Sequence, residues 1–269
     1  MLTLRLPWGC PPLREYTSAT GDSGVLTPLN QLSQKVDLPK FSSSAACLLQ
    51  PGIGGCNFEQ PLSAVLTAFK KLEGSSLMRK NALTVIILIT DEEDCSIESD
   101  AFFDLKELSD TEANVACGRH KDLLYDIDDL HEKIVNAKTA ATGRVADQTI
   151  LFAAITGVPV ASPCEGRGDQ IGECSNVRPL VNATGTMAAP DEVKRPVSSF
   201  QMQTYYEYAC QREVDDEAIT NAYPASRIVE MAQKFGKNGF VFSICNENWT
   251  PIMKQLGDAI LTRVDKGSN

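Results

Sequence analysis

Basic residues are in the minority in this chain, with 25 Lys and Arg against 35 Asp and Glu and a formal charge of −10. This balance argues against nucleic acid or an anionic membrane surface as partner, since both are held by clustered Lys and Arg. No apolar run approaches the roughly 18 residues of a membrane span. The opening MLTLRLPWGCPP lacks the uninterrupted apolar stretch of a signal peptide, because Arg5 breaks it and Pro7 ends it. Histidine occurs only at His120 and His131, too far apart for adjacent helical turns, and both read as surface residues of a charged helix. G-x-S-x-G, H-E-x-x-H and P-loop motifs are missing, which removes the common signatures of serine hydrolases, zinc peptidases and nucleotide hydrolysis. No two cysteines form C-x-x-C, so neither a zinc ribbon nor a dithiol redox centre is expected.

The stretch richest in information is TVIILITDEEDCS, residues 84–96. Its aliphatic run is short and apolar throughout, as in a strand buried on both faces of a parallel sheet. It stops abruptly at Asp91, Glu92, Glu93 and Asp94. Carboxylates just past a strand's C-terminal end stand where open α/β sheets bind ligands, and they suit hard cations such as Mg²⁺. The competing reading is a solvated acidic loop.

Nine cysteines are dispersed along 269 residues. Their density suggests disulfides formed in an oxidising compartment; buried free thiols are the alternative. An odd count leaves one without a partner in the chain. Connectivity does not follow from sequence, but positions suggest pairs. Cys210 and Cys245 bracket a helix, so their bridge would pin an insert to the last strand. Cys164 and Cys174 flank a Gly-rich loop. Cys95 with Cys117 and Cys47 with Cys56 complete the set, leaving Cys10.

Periodicity predicts helices near 60–73, 121–139, 224–235 and 250–263, the last capped by Thr250, and central strands near 84–90, 149–155 and 240–245. Residues 157–222 form a long cysteine-containing insert with one weak helical patch near Phe200–Cys210. Alternating helices and strands predict an α/β fold, a mostly parallel sheet with helices on both faces.

Four segments resemble a known family. GIGGCNFEQPLSAV (52–65), VIILITDEEDCS (85–96), AYPASRIVEMAQKFGKNG (222–239) and FVFSICNENWTPIMKQLGDAI (240–260) are similar to the von Willebrand factor A (VWA) domain, in a cysteine-rich subgroup of bacterial secreted and lipid-anchored proteins. The resemblance covers about half the chain. It implies a doubly wound, Rossmann-like sheet and a metal-ion-dependent adhesion site at the sheet's C-terminal edge, where a partner's carboxylate completes the cation's coordination. Asp91 matches the third element of that site. Cys56 stands where the second has Thr, and the first element, D-x-S-x-S, occurs nowhere in 1–269. The expectation is one VWA-like domain over 1–269 that lacks its first strand or strands and its signal segment. No metal would be held tightly by this chain, although a longer parent could bind Mg²⁺ or another divalent cation.

The leading functional expectation is therefore an extracytoplasmic module that binds a protein ligand in the periplasm, at the cell surface or after secretion, with an incomplete adhesion site and no catalytic residue. A hydrolase using Asp91 or Asp94, or Cys95 as nucleophile, and a truncated remnant without function are the alternatives.

Overall fold

A computed structural model describes residues 58–72, 82–105, 116–118, 120–142, 149–161, 165–171, 192–198, 201–206, 208–215 and 218–266. All of them lie in one compact unit, Phe58–Asn269. Its centre is a mixed, mostly parallel sheet. Strand β1 (Thr84–Ile89) pairs in parallel with β2 (Ile150–Thr156), and β2 pairs in parallel with β8 (Gly239–Ser243). The two-residue strand β3 (Gly166–Arg167) lies antiparallel on the far side of β8. Every residue of β2 and β8 is buried, which is why these segments are apolar without alternation.

Helices cover both faces. Helix α1 (Pro61–Leu72), α2 (Ile127–Thr142) and α3 (Ser226–Lys234) pack Leu62, Leu66, Leu130, Ile134, Ile228 and Met231 against Ile86, Leu88, Phe152 and Ala154. Helix α4 (Thr250–Lys266) packs Ile252 and Leu256 on the opposite face, against Leu151, Ala153, Ile155, Phe240 and Phe242. The two-residue repeat of each strand thus sends alternate side chains into two separate cores.

Local chemistry moves some element ends from their expected places. The helix expected from 121 begins at Ile127, behind a short 3₁₀ turn at Lys121–Leu123. Asp126 sets the start, its Oδ1 accepting the amides of Asp128 (2.8 Å) and Asp129 (3.2 Å). At α4 the free amide of Thr250 is taken by Asn248 Oδ1 at 3.0 Å. Asn248, not Thr250, therefore supplies the capping side chain.

The insert needs the larger correction. Besides β3, it contributes two antiparallel hairpins: β4 (Glu192–Ser198) with β5 (Gln201–Tyr206), and β6 (Cys210–Asp215) with β7 (Ala218–Ala222). The patch near Phe200–Cys210, expected to be weakly helical, lies mainly in β5. Thr204, Tyr205 and Tyr206 favour extended backbone, and cross-strand pairing outweighs a faint helical period. The histidines are not plain surface residues either. Both are half-buried. The ring of His131 sits edge-on to Phe235 at 4.6 Å between centroids, and that of His120 lies 6.5 Å from Phe102.

Candidate functional site

The C-terminal ends of β1, β2 and β8 gather the acids singled out from the sequence, and the four run-end acids divide by burial. Asp94 is 0% exposed and Glu93 5%, while Asp91 is exposed and Glu92 half-exposed.

Asp94 holds two helices together. Its Oδ1 accepts the amide of Leu62 in the first turn of α1 (3.1 Å) and the hydroxyl of Ser96 (2.7 Å). Its Oδ2 accepts the Ser96 amide (3.2 Å) and Arg227 Nε (3.1 Å). Ser96 Oγ in turn accepts the Ser63 amide at 2.8 Å. The start of α1 is thus capped by a loop more than thirty residues downstream. Arg227 spends its remaining reach on the Tyr125 carbonyl, with Nη2 at 2.7 Å.

Glu93 does the same for α3. Its Oε2 accepts the Ser226 hydroxyl (2.6 Å), and its Oε1 accepts the amides of Arg227 (3.1 Å) and Asp94 (2.9 Å). Burial raises the Glu93 carboxyl above its ordinary 4.5, against the opposing pull of its Ser226 and Asp94 hydrogen bonds. Cys95 follows directly and is bridged to Cys117. A disulfide sulfur has no thiolate to offer, so the nucleophile and one acid of the hydrolase alternative serve as architecture.

The chain entering α3 crosses these strand ends. The Tyr223 amide donates to the Asp91 carbonyl at 2.7 Å, and the Ala225 amide to the Gly157 carbonyl at 3.3 Å. A Cβ on Gly157 would lie 1.7 Å from the Tyr223 carbonyl oxygen, so the crossing is possible only over a glycine. At the end of β8, Glu165 Oε1 accepts the Ser243 amide (2.7 Å) and Asn246 Nδ2 (2.6 Å). The Cys210–Cys245 disulfide pins the start of β6 beside it. Between these ends, the buried Thr156 hydroxyl has no hydrogen-bond partner.

Asp91 is what remains open to solvent. Its neighbour is Glu59, whose carboxyl is raised first by partial desolvation and then by the charge of Asp91. Glu59 also reaches the acidic loop through its carbonyl, which accepts the Cys95 amide at 2.7 Å. Gly55–Asn57, expected beside Asp91, lies outside the described residues, as do Cys10, Cys47, Cys56, Cys164 and Cys174. A divalent cation such as Mg²⁺ asks for about six oxygen ligands. Among the described residues, no group of three His, Cys, Asp or Glu stands close enough to hold a metal ion.

Ser96, Ser226, Arg227 and Glu59 were not singled out from the sequence. One signal was there for Arg227: a cation in the first turn of a helix opposes the macrodipole, and so implies an acidic partner. The two bridges place the protein in an oxidising, extracytoplasmic setting. No described helix is long and apolar enough to cross a membrane. Comparison with protein-family models, with curated proteins and with solved structures finds no match to this chain.

Proposed function

We propose that this chain is an extracytoplasmic protein-binding module of the VWA type, engaging its ligand at the C-terminal edge of the sheet around Asp91. The observation that carries the reading is the division among the strand-end acids. Glu93 and Asp94 are buried as helix caps, whereas Asp91, two residues past the end of β1, presents a solvent-facing carboxylate beside Glu59. A rigid, disulfide-braced loop that leaves one carboxylate outside suits recognition, which needs preorganised groups on a firm scaffold. It suits a hydrolytic mechanism less well, because Asp94 is held by Arg227 and Cys95 is oxidised. The solvent-facing carboxylate of Asp91 suits direct contact with Lys or Arg side chains of the partner.

The test is retention of proteins from the extracytoplasmic fraction of the source cells on immobilised full chain. Three forms are compared: wild type, Asp91→Ala, and Leu261→Ser as a surface control. A protein held by wild type and Leu261→Ser but lost with Asp91→Ala supports the reading. Identical retention by all three forms, or none by any, overturns it.

A further inference from the structure

The hairpin β6–β7 is fixed to the C-terminal edge of the sheet on two sides. At one side it runs on into the crossing at 222–225, where the Tyr223 amide donates to the Asp91 carbonyl and the Ala225 amide to the Gly157 carbonyl. At the other side the Cys210–Cys245 bridge ties its first residue to the chain just past β8. Otherwise the hairpin packs chiefly on itself. Cys210 pairs with Ala222 across its base, Gln211 Nε2 donates to Asn221 Oδ1 at 2.9 Å, and the Tyr208 and Tyr223 rings meet at 5.2 Å. Ala222 is buried, yet it belongs to neither of the two hydrophobic cores. Of the two anchors, the covalent one is the one that chemistry can cut.

The basal rung of the hairpin, Cys210 with Ala222, lies over two buried hydroxyls. Ser243 Oγ is 3.5 Å from Cys210 Sγ, and a Cβ on Gly157 would meet Ala222 Cβ at 3.3 Å. Thr156, which precedes Gly157, stands directly opposite Ser243 in the β2–β8 register, and both are fully buried. Ser243 is satisfied: its Oγ donates to the Val158 carbonyl at 2.6 Å and accepts the Cys245 amide at 3.2 Å. Thr156 Oγ1 has no partner. A buried hydroxyl left without a hydrogen bond is a cost carried by the closed arrangement. Lifting the rung would let water satisfy it.

We propose that Cys210–Cys245 is a reducible latch: a dithiol reductant opens it, the hairpin swings out about residues 222–225, and the hydroxyls of Thr156 and Ser243 meet solvent. The proposal is independent of what binds at Asp91. The two described bridges differ in the way this requires. Cys95 and Cys117 are each 1% exposed, which denies an attacking thiolate its approach, whereas Cys210 is only half-buried. A thiolate of the reductant attacks Cys210 Sγ, forming a mixed disulfide and breaking the bond to Cys245, whose thiolate leaves and takes a proton from water. The second thiol of the reductant loses its proton to water and attacks its own sulfur in the mixed disulfide, releasing Cys210. Two electrons pass to the protein, and the reductant ends as a disulfide. With the bridge cut, the hairpin is held through its 222–225 end, and the unsatisfied Thr156 hydroxyl favours the open position.

Titration of the full chain with dithiothreitol under native conditions tests this, read by alkylation of free thiols with mass mapping and by hydrogen exchange. Cys210 and Cys245 should become alkylated together, before Cys95 and Cys117. At that point residues 208–222 should lose exchange protection while β1, β2 and β8 keep theirs, and removing the reductant under mild oxidation should restore it. Thr156→Val removes the unsatisfied hydroxyl, so the reduced variant should populate the open hairpin less than reduced wild type by about fivefold or more. In the oxidised state the two should match over 208–222. Three results overturn the proposal. One is reduction of Cys95–Cys117 first or at the same time. Another is reduction of Cys210–Cys245 with unchanged protection over 208–222, or with loss of protection in the central strands as well, as for a bridge that merely stabilises the fold. The last is equal opening of the reduced wild type and Thr156→Val.

Discussion

Asp94 and Arg227 form a buried pair, with side chains 0% and 8% exposed. Removing one member of such a pair leaves the other charge without its counter-ion in the interior, at a cost of about 3–5 kcal/mol. Asp94→Asn should lower unfolding stability by that order in urea titration, since its amide nitrogen cannot accept the bonds now made by one of the two oxygens. Asp91→Asn, three residues away and exposed, should change stability by less than about 0.5 kcal/mol. Glu93 supplies a pH test. Its folded pKa is raised, so its contribution favours the folded state below the unfolded value near 4.5 and is lost as pH rises through the folded value. Wild type should therefore lose stability relative to Glu93→Gln as pH rises above about 4.5, as read from denaturation midpoints. A difference that is flat with pH, or that grows in the other direction, would contradict this. Thr156 tests satisfaction at the same edge. Its buried hydroxyl has no partner, so the isosteric Thr156→Val should be neutral or stabilising, by up to about 1–2 kcal/mol in thermal melts.

At the scale of elements, the decisive contact is the passage of residues 222–225 over the ends of β1 and β2. The Tyr223 carbonyl lies so close to Gly157 that an added Cβ would stand 1.7 Å away. Backbone cannot yield as a flexible side chain can. Gly157→Ala should therefore push the segment off the edge and cost at least about 1–3 kcal/mol. The displacement would be visible as faster hydrogen exchange at the Tyr223 and Ala225 amides, which donate to Asp91 and Gly157. The same crossing delivers Ser226 and Arg227 to Glu93, so the start of α3 and the acidic loop form one unit.

On the scale of the whole molecule, the Cys210–Cys245 bridge joins the insert's second hairpin to the end of the last central strand, across 35 residues of sequence. Closing a loop of that length limits the unfolded chain by about 3–4 kcal/mol. The double variant Cys210→Ser, Cys245→Ser should melt at a lower temperature by the corresponding amount. Its exchange protection should fall first over β6 and β7, ahead of the central sheet.

The central elements were legible in the sequence because their signals are local. An apolar run bounded by acids marks a buried strand, and a four-residue apolar spacing marks a helix face. Three strands and four helices accordingly stand close to their expected places, and the sheet joining them is mostly parallel. The pairings Cys210–Cys245 and Cys95–Cys117 are formed as their positions suggested. The division of labour among Asp91, Glu93 and Asp94 was not legible. All three are strand-end carboxylates in sequence, and what separates them is whether a helix start more than thirty or a hundred residues away presents amides and an arginine to them. Nor could the hairpins of the insert be read, since weak segments become strands only when paired with each other. The sequence by itself determined where chain segments are apolar and with what period. Burial, and with it the choice between a structural carboxylate and an available one, was decided only when the tertiary structure brought α1, α3 and the strand ends together, because desolvation and hydrogen bonding depend on distance in space.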